Sequence, residues 1–284
     1  MKLINVRMKT RLAGKAAATG PEVPSGFVSE IFCSLQGEGL FVGERQIFVR
    51  IAGCSATCSW CDTVHSKQRT PQCVVHGREK RTYPNPMSLK GVVGEVLLTA
   101  KENEGTRAVS VTGGEPLEQP EFVTALAERL KALGFTVHLE TNGLHADAFQ
   151  SVLPFVDVVA MDIKLPSAIG VEAWGSHADF LSRIRGTAFD REANPAAKPL
   201  FVKVVVDSRS TREEVERAVG LIATASPKTP LVLQPESASF LFGRPDRGDV
   251  RTLFGFLHEC RVRASAILED VRVIPQCHKI LHVR

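Results

Sequence analysis

The sequence predicts an α/β fold: a single domain over residues 25–284, in which strands and helices alternate into a partial, open βα barrel with inserted loops. Three observations predict it. Seven β-prone runs follow residue 45 with helical stretches between most of them, an order that implies a mainly parallel sheet with right-handed crossovers. Polar motifs collect at the C-terminal ends of these runs, where βα barrels carry their chemistry. Two long stretches, 67–86 and 166–198, are irregular and read as insertions.

The first 24 residues carry Lys2, Arg7, Lys9, Arg11 and Lys15 ahead of the first acid, Glu22. They lack the apolar core of a secretory signal, and Gly14, Gly20, Pro21 and Pro24 offer little to pack, so they read as a flexible N-terminal segment. Residues 27–32 are a short β-prone run leading into the glycine-punctuated turn Ser34-Leu35-Gln36-Gly37-Glu38-Gly39. Residues 46–51 read as a buried strand, and a cysteine-rich loop leaves its end. Ser88 is placed to cap a helix whose Leu89, Val92, Val93, Val96 and Leu97 share one face.

The alternation then sets in. A strand over 107–112 ends in Gly113-Gly114-Glu115-Pro116, and a helix over 121–133 stops at Gly134. A strand over 135–140 ends in Thr141-Asn142-Gly143, and a short helix over 146–152 ends before Pro154. The strand over 156–161 ends in Asp162-Ile163-Lys164. The second insertion holds a short helix near 177–184, and residues 200–206 form the next strand. Thr211 and Glu214 make a capping box opening a helix to about residue 223. A strand over 231–233 ends in Gln234-Pro235-Glu236-Ser237, a helix covers 249–263, and a last strand over 271–274 precedes Gln276-Cys277-His278-Lys279.

Hydrophobic residues are 44% of the chain and charged residues 23%, ordinary for a globular domain. A net charge of +4 is too weak to argue for a nucleic-acid partner. No apolar run reaches 18 residues, so no membrane span is expected. Seven cysteines, an odd number with three on one loop, point to a reducing, cytoplasmic setting rather than a disulfide framework. Cys33, Cys73, Cys260 and Cys277 read as plain thiols, and His76, His138, His145, His177 and His258 show no common metal spacing.

Cys54, Cys58 and Cys61 stand at C-x3-C-x2-C spacing. Three thiolates can hold an iron–sulfur cluster with one iron left open to a small chelating molecule. With His65 as a fourth ligand they can instead close a structural zinc site. Asp62-Thr63 offers hard oxygen to Mg2+, and Arg50 offers a fork to a carboxylate, although capping and surface anchoring are the ordinary uses of such residues. Glu140-Thr141-Asn142-Gly143 can hold hydroxyls or simply turn.

Taken together, the cysteine spacing after one strand and Gly113-Gly114-Glu115-Pro116 after the next resemble the radical S-adenosylmethionine superfamily. Leu35 to Gly39, Arg50 to Cys54, Cys61-Asp62-Thr63, Thr112 to Pro116 and His278-Lys279 are similar, more narrowly, to 7-carboxy-7-deazaguanine synthases. The resemblance implies a partial barrel of the radical S-adenosylmethionine type, one [4Fe–4S] cluster on Cys54, Cys58 and Cys61, S-adenosylmethionine and Mg2+. It implies conversion of 6-carboxy-5,6,7,8-tetrahydropterin to 7-carboxy-7-deazaguanine with loss of ammonia, on the route to queuosine. By position, Leu35, Gln36, Gly37, Arg50, Thr112 and the terminal Arg284 would contact the pterin. Gly114, Asp162, Ile163, Lys164, Gln234, Pro235, Glu236 and Ser237 would line the cofactor, and Thr63 would ligate Mg2+. A homodimer and an electron donor such as flavodoxin or ferredoxin are implied partners. An activase that installs a glycyl radical on another protein, and a non-catalytic Cys3His zinc module, are the competing readings.

Overall fold

A computed structural model describes residues 24–237 and 250–284. The basic segment before residue 24 and the start expected for the helix at 249 lie outside these. The strands are β1 (Ser25–Gly26), β2 (Val28–Leu35), β3 (Arg45–Ile51), β4 (Gln72–His76), β5 (Lys80–Pro84) and β6 (Met87–Ser88). They continue with β7 (Ala108–Gly113), β8 (Thr136–Thr141), β9 (Val158–Ile163), β10 (Leu200–Val206), β11 (Leu231–Pro235) and β12 (Val271–Val273). The α-helices are α1 (Leu89–Glu102), α2 (Pro120–Ala132), α3 (Ala146–Val152), α4 (Pro166–Ile169), α5 (Trp174–Ser182), α6 (Arg212–Ala225), α7 (Val250–Ala264) and α8 (Cys277–Ile280).

Ten strands form one sheet in the order β12-β11-β10-β9-β8-β7-β3-β2-β4-β5. The seven strands expected after residue 45 are β3 and β7 to β12, and each pairs in parallel with the next. Among the described residues the sheet does not close, so the fold is an open α/β barrel. Its strands are nearly continuous apolar runs, as a sheet covered on its faces requires. Helices α1, α2, α6 and α7 pack on it, and α2 does so through a buried stripe of Phe122, Val123, Leu126 and Leu130.

Ser88 caps α1 by accepting from the Gly91 amide at 3.2 Å, and Thr211 and Glu214 make the expected capping box at α6. On α1, Leu97 is exposed, because the buried stripe runs through Val92, Val96 and Thr99 instead. β2 extends to Leu35, taking in Ser34 and Leu35, so the glycine turn begins two residues later than expected, at Gln36.

Neither insertion is structureless. In 67–86, β4 and β5 form an antiparallel hairpin, and β4 joins β2 in parallel. Cys73 and Val75 point into the core while their neighbours face outward, a period-2 signal hidden between the proline breaks at Pro71 and Pro84 to Pro86. In 166–198, α4 precedes α5, which starts at Trp174 and buries Trp174, His177, Phe180 and Leu181. Among the described residues, no helix is long and apolar enough to cross a membrane.

Candidate active site

β3 ends at Ile51, and the loop bearing Cys54, Cys58 and Cys61 leaves from there. β7 ends beside it. A Cβ at Gly113, where φ is +140°, would lie 2.2 Å from the Ile51 carbonyl oxygen, and one at Gly114 would lie 2.1 Å from that of Gly53. The paired glycines are therefore required for the end of β7 to press against the root of the cysteine loop. The Gly114 amide donates to Ile51 O at 2.8 Å and the Glu115 amide to Gly53 O at 2.7 Å.

Glu115 then turns inward. Its carboxylate accepts from the Leu117 amide at 2.9 Å, the Thr141 hydroxyl at 2.8 Å and the Asn142 amide at 2.7 Å. It thus splices the end of β7 to the end of β8, and is not free to receive a ligand's ammonium alone. Burial pushes its pKa up to about 7 against the pull of these donors.

The strand ends surround a cavity of about 480 Å3. Every residue expected at the site lines it except Ile163 and Pro235. The reason is strand alternation: Asp162 and Gln234 face the cavity, so the next residue on each strand faces away, with Ile163 in the core. Cys54, Cys58 and Cys61 are half-buried at one side and none is in a disulfide. Burial pushes the Cys54 thiol up to about 11 and raises Cys58 too, so these thiols ionise when a bound cation compensates.

The floor is polar and tightly connected. Glu140 accepts from Gln36 Nε2 at 2.8 Å and Thr112 Oγ1 at 2.7 Å. Lys203, from β10, pairs with Glu38 and lies 3.3 Å from Asp162. Burial pushes the Glu38 carboxyl up, but the Lys203 charge and the hydrogen bonds from Gln276 and Lys203 together hold it well below the usual range, while Glu38 and Asp162 raise Lys203. Lys164 donates to Asp162 at 2.7 Å and sits 4.6 Å from the centre of the Trp60 ring, a cation–π contact. Glu38, Asp62 and His278 bring three ligand atoms within 4.8 Å of one another, next to Thr63. Gly37 admits His278: a Cβ there would fall 2.1 Å from Nδ1 of that ring.

Residues 48–191 match the Radical SAM superfamily. Over 265 residues the chain is 33% identical to the 7-carboxy-7-deazaguanine synthase of Geobacter sulfurreducens, covering 91% of this chain and 98% of that one. The protein of the same name from Methanopyrus kandleri is 34% identical over 275 residues, covering 92% and 96%. This chain belongs to the 7-carboxy-7-deazaguanine synthase family. A crystal structure of QueE from Escherichia coli shares the fold at TM-score 0.55 and 22% identity, covering 89% of this chain and 95% of that one. Membership makes the protein a radical S-adenosylmethionine lyase acting on a small molecule, and implies a [4Fe–4S] cluster and S-adenosylmethionine.

The residues at this synthase-type site fit those groups. Asn142 Nδ2, Asp162 Oδ1 and Gln234 Oε1 are buried in the cavity wall without a partner among the described residues, which is the state of groups awaiting a polar ligand. The zinc reading loses its fourth ligand, because His65 Nε2 lies 3.5 Å from Glu30 Oε1 and is drawn to that carboxylate. Sequence reasoning missed Lys203 and Glu30. Lys203 carried a signal, a lone charge in the apolar run Leu200–Val206; Glu30 carried little, since its partners are remote in the chain.

Proposed function

We propose that the protein converts 6-carboxy-5,6,7,8-tetrahydropterin to 7-carboxy-7-deazaguanine with release of ammonia, in queuosine and 7-deazapurine biosynthesis. One observation carries this reading: the three cysteines, the Arg50 guanidinium and the Glu140 carboxylate open onto one cavity. Cys54, Cys58 and Cys61 hold the cluster, and Gly114, Asp162, Lys164, Gln234, Glu236 and Ser237 line the cofactor's side. When bound, these groups supply the carbon radical that starts the reaction by taking a hydrogen atom.

The chain's own residues bind and orient. Glu140, fixed by Gln36 and Thr112, accepts from the N–H edge of the pterin ring, and Arg50 grips the carboxylate. Leu35, Gly37 and Phe32 exclude water from that end. Thr63 and Asp62 hold Mg2+, and Glu38 and His278 complete an oxygen- and nitrogen-bearing rim for it. Lys203 on Glu38, and Lys279 at 3.4 Å from Asp62, compete with the ion there. A homodimer, a flavodoxin- or ferredoxin-type donor and a cytoplasmic setting complete the reading.

The test is anaerobic incubation of cluster-loaded protein with the carboxypterin, S-adenosylmethionine, Mg2+ and dithionite. Mass spectrometry should find 7-carboxy-7-deazaguanine, with ammonia released alongside. An intact cluster and no such product would reject the substrate. Thr63→Ala should raise the Mg2+ concentration needed for half-maximal rate several-fold; an unchanged requirement would take Thr63 out of the metal site.

A further inference from the structure

Glu30 is a buried carboxylate outside the cavity, and each of its two oxygens meets an arginine, with His65 Nε2 also 3.5 Å from Oε1. Oε1 accepts from Arg50 Nε at 2.8 Å, and Oε2 accepts from Arg284 Nη1 at 3.1 Å. His76 Nε2 lies 3.1 Å from the same Arg284 nitrogen and 3.3 Å from Oε2. Strand register puts these together: Glu30 stands opposite Arg50 on β3 and opposite Val74 on β4, two residues before His76. Both guanidiniums lie near the Phe32 ring, with Cζ 5.5 Å from its centre for Arg50 and 5.9 Å for Arg284.

One side-chain carboxylate faces two guanidiniums, so some of their donors are left over. The terminal nitrogens of Arg50, and Nε and Nη2 of Arg284, have no partner among the described residues. Arg50 and Arg284 both line the cavity, while Glu30 and His76 stand behind them. Two adjacent guanidiniums with spare donors suit a carboxylate better than one does. The segment that delivers Arg284 is fastened at its other end, where the Cys277 amide donates to Gly37 O at 2.8 Å and Gln276 donates to Glu38 at 2.5 Å.

We propose that Arg284 is a second grip on the substrate carboxylate, and that Glu30 and His76, the latter supplied by the β4–β5 insertion, are the positioning residues that set it beside Arg50. The proposal rests on the pterin reading above. The probes are 6-carboxypterin and pterin, which differ by the carboxylate, titrated calorimetrically into anaerobic, cluster-loaded protein. The unmodified protein should prefer 6-carboxypterin. Arg284→Ala, at a half-exposed residue, should reduce that preference about tenfold while leaving pterin affinity unchanged. Arg284→Lys should recover part of the preference, and Glu30→Gln and His76→Ala should each lower it. A merely structural tail contact would weaken both probes equally, and that result overturns the proposal. So does an unchanged preference in Arg284→Ala, which leaves the pterin reading standing. An unmodified protein with no preference for the carboxylate sinks both.

Discussion

The hairpin β4–β5 and the helical pair α4–α5 are both insertions, and both bury apolar side chains in the core, yet the outer edge of the hairpin is held by a different force. The outer strand of the hairpin, β5, alternates exposed and half-buried residues and is tied down by charge. Arg81 pairs with Glu95 at 3.0 Å and Glu102 at 3.5 Å, and Tyr83 donates to Glu95 at 2.5 Å. Helix α5 is held by dry packing, with Phe180 fully buried and stacked on Phe149 at 4.1 Å. The hairpin sends His76 toward the arginine end of the cavity. Helix α5 sends His177 to the back of the cavity wall, where Nε2 lies 3.2 Å from Asn142 O and 3.4 Å from the Lys164 amide. The contrast teaches that ionic fastening leaves a segment adjustable by salt, whereas a packed one shares the stability of the core.

That contrast can be broken in three places. The largest effect belongs to Phe180→Ala, expected to cost about 3–5 kcal/mol through lost burial and the cavity left behind, read from urea unfolding. A loss under about 1 kcal/mol would mean that α5 is not part of the core. Next is His177, whose pKa burial lowers to about 4. As pH falls below its ordinary value of 6.5, the unfolded chain takes up the proton first. His177 therefore contributes stability above that pH and loses it as pH falls toward 4, on the order of 3 kcal/mol across the window. His177→Gln should show a flatter profile from pH 7 to 4.5; an equal slope would relieve His177 of that role. The smallest is Arg81→Ala, which leaves the buried Glu95 carboxylate with Tyr83 as its remaining partner and is expected to cost about 1–2 kcal/mol, part of it lost in high salt. A larger, salt-independent loss would mean that β5 is held by packing, as β4 is through Cys73 and Val75.

Much of this was legible because the motifs are local. The cysteine loop, the paired glycines and the strand-end polar runs each occupy a few consecutive residues, and strand ends bring them together whatever the loops between do. What escaped was pairing at a distance. Glu30, Arg50, His76 and Arg284 are scattered from β2 to the last residue, and no spacing rule connects them. The hairpin escaped because its prolines outweighed an alternation only five residues long. Ile163 and Pro235 were included because a contiguous segment was read whole, where a strand shows a cavity every second residue.

The outermost strands also bear on how copies of the chain meet. A row of unpaired backbone groups invites another chain to add itself to the sheet. Here β5 carries Lys80, Arg81 and Pro84, and β12 at the opposite margin is three residues long. Both margins therefore discourage strand-by-strand accretion into filaments. Helix and loop surfaces are left as the more favourable places for another chain to attach.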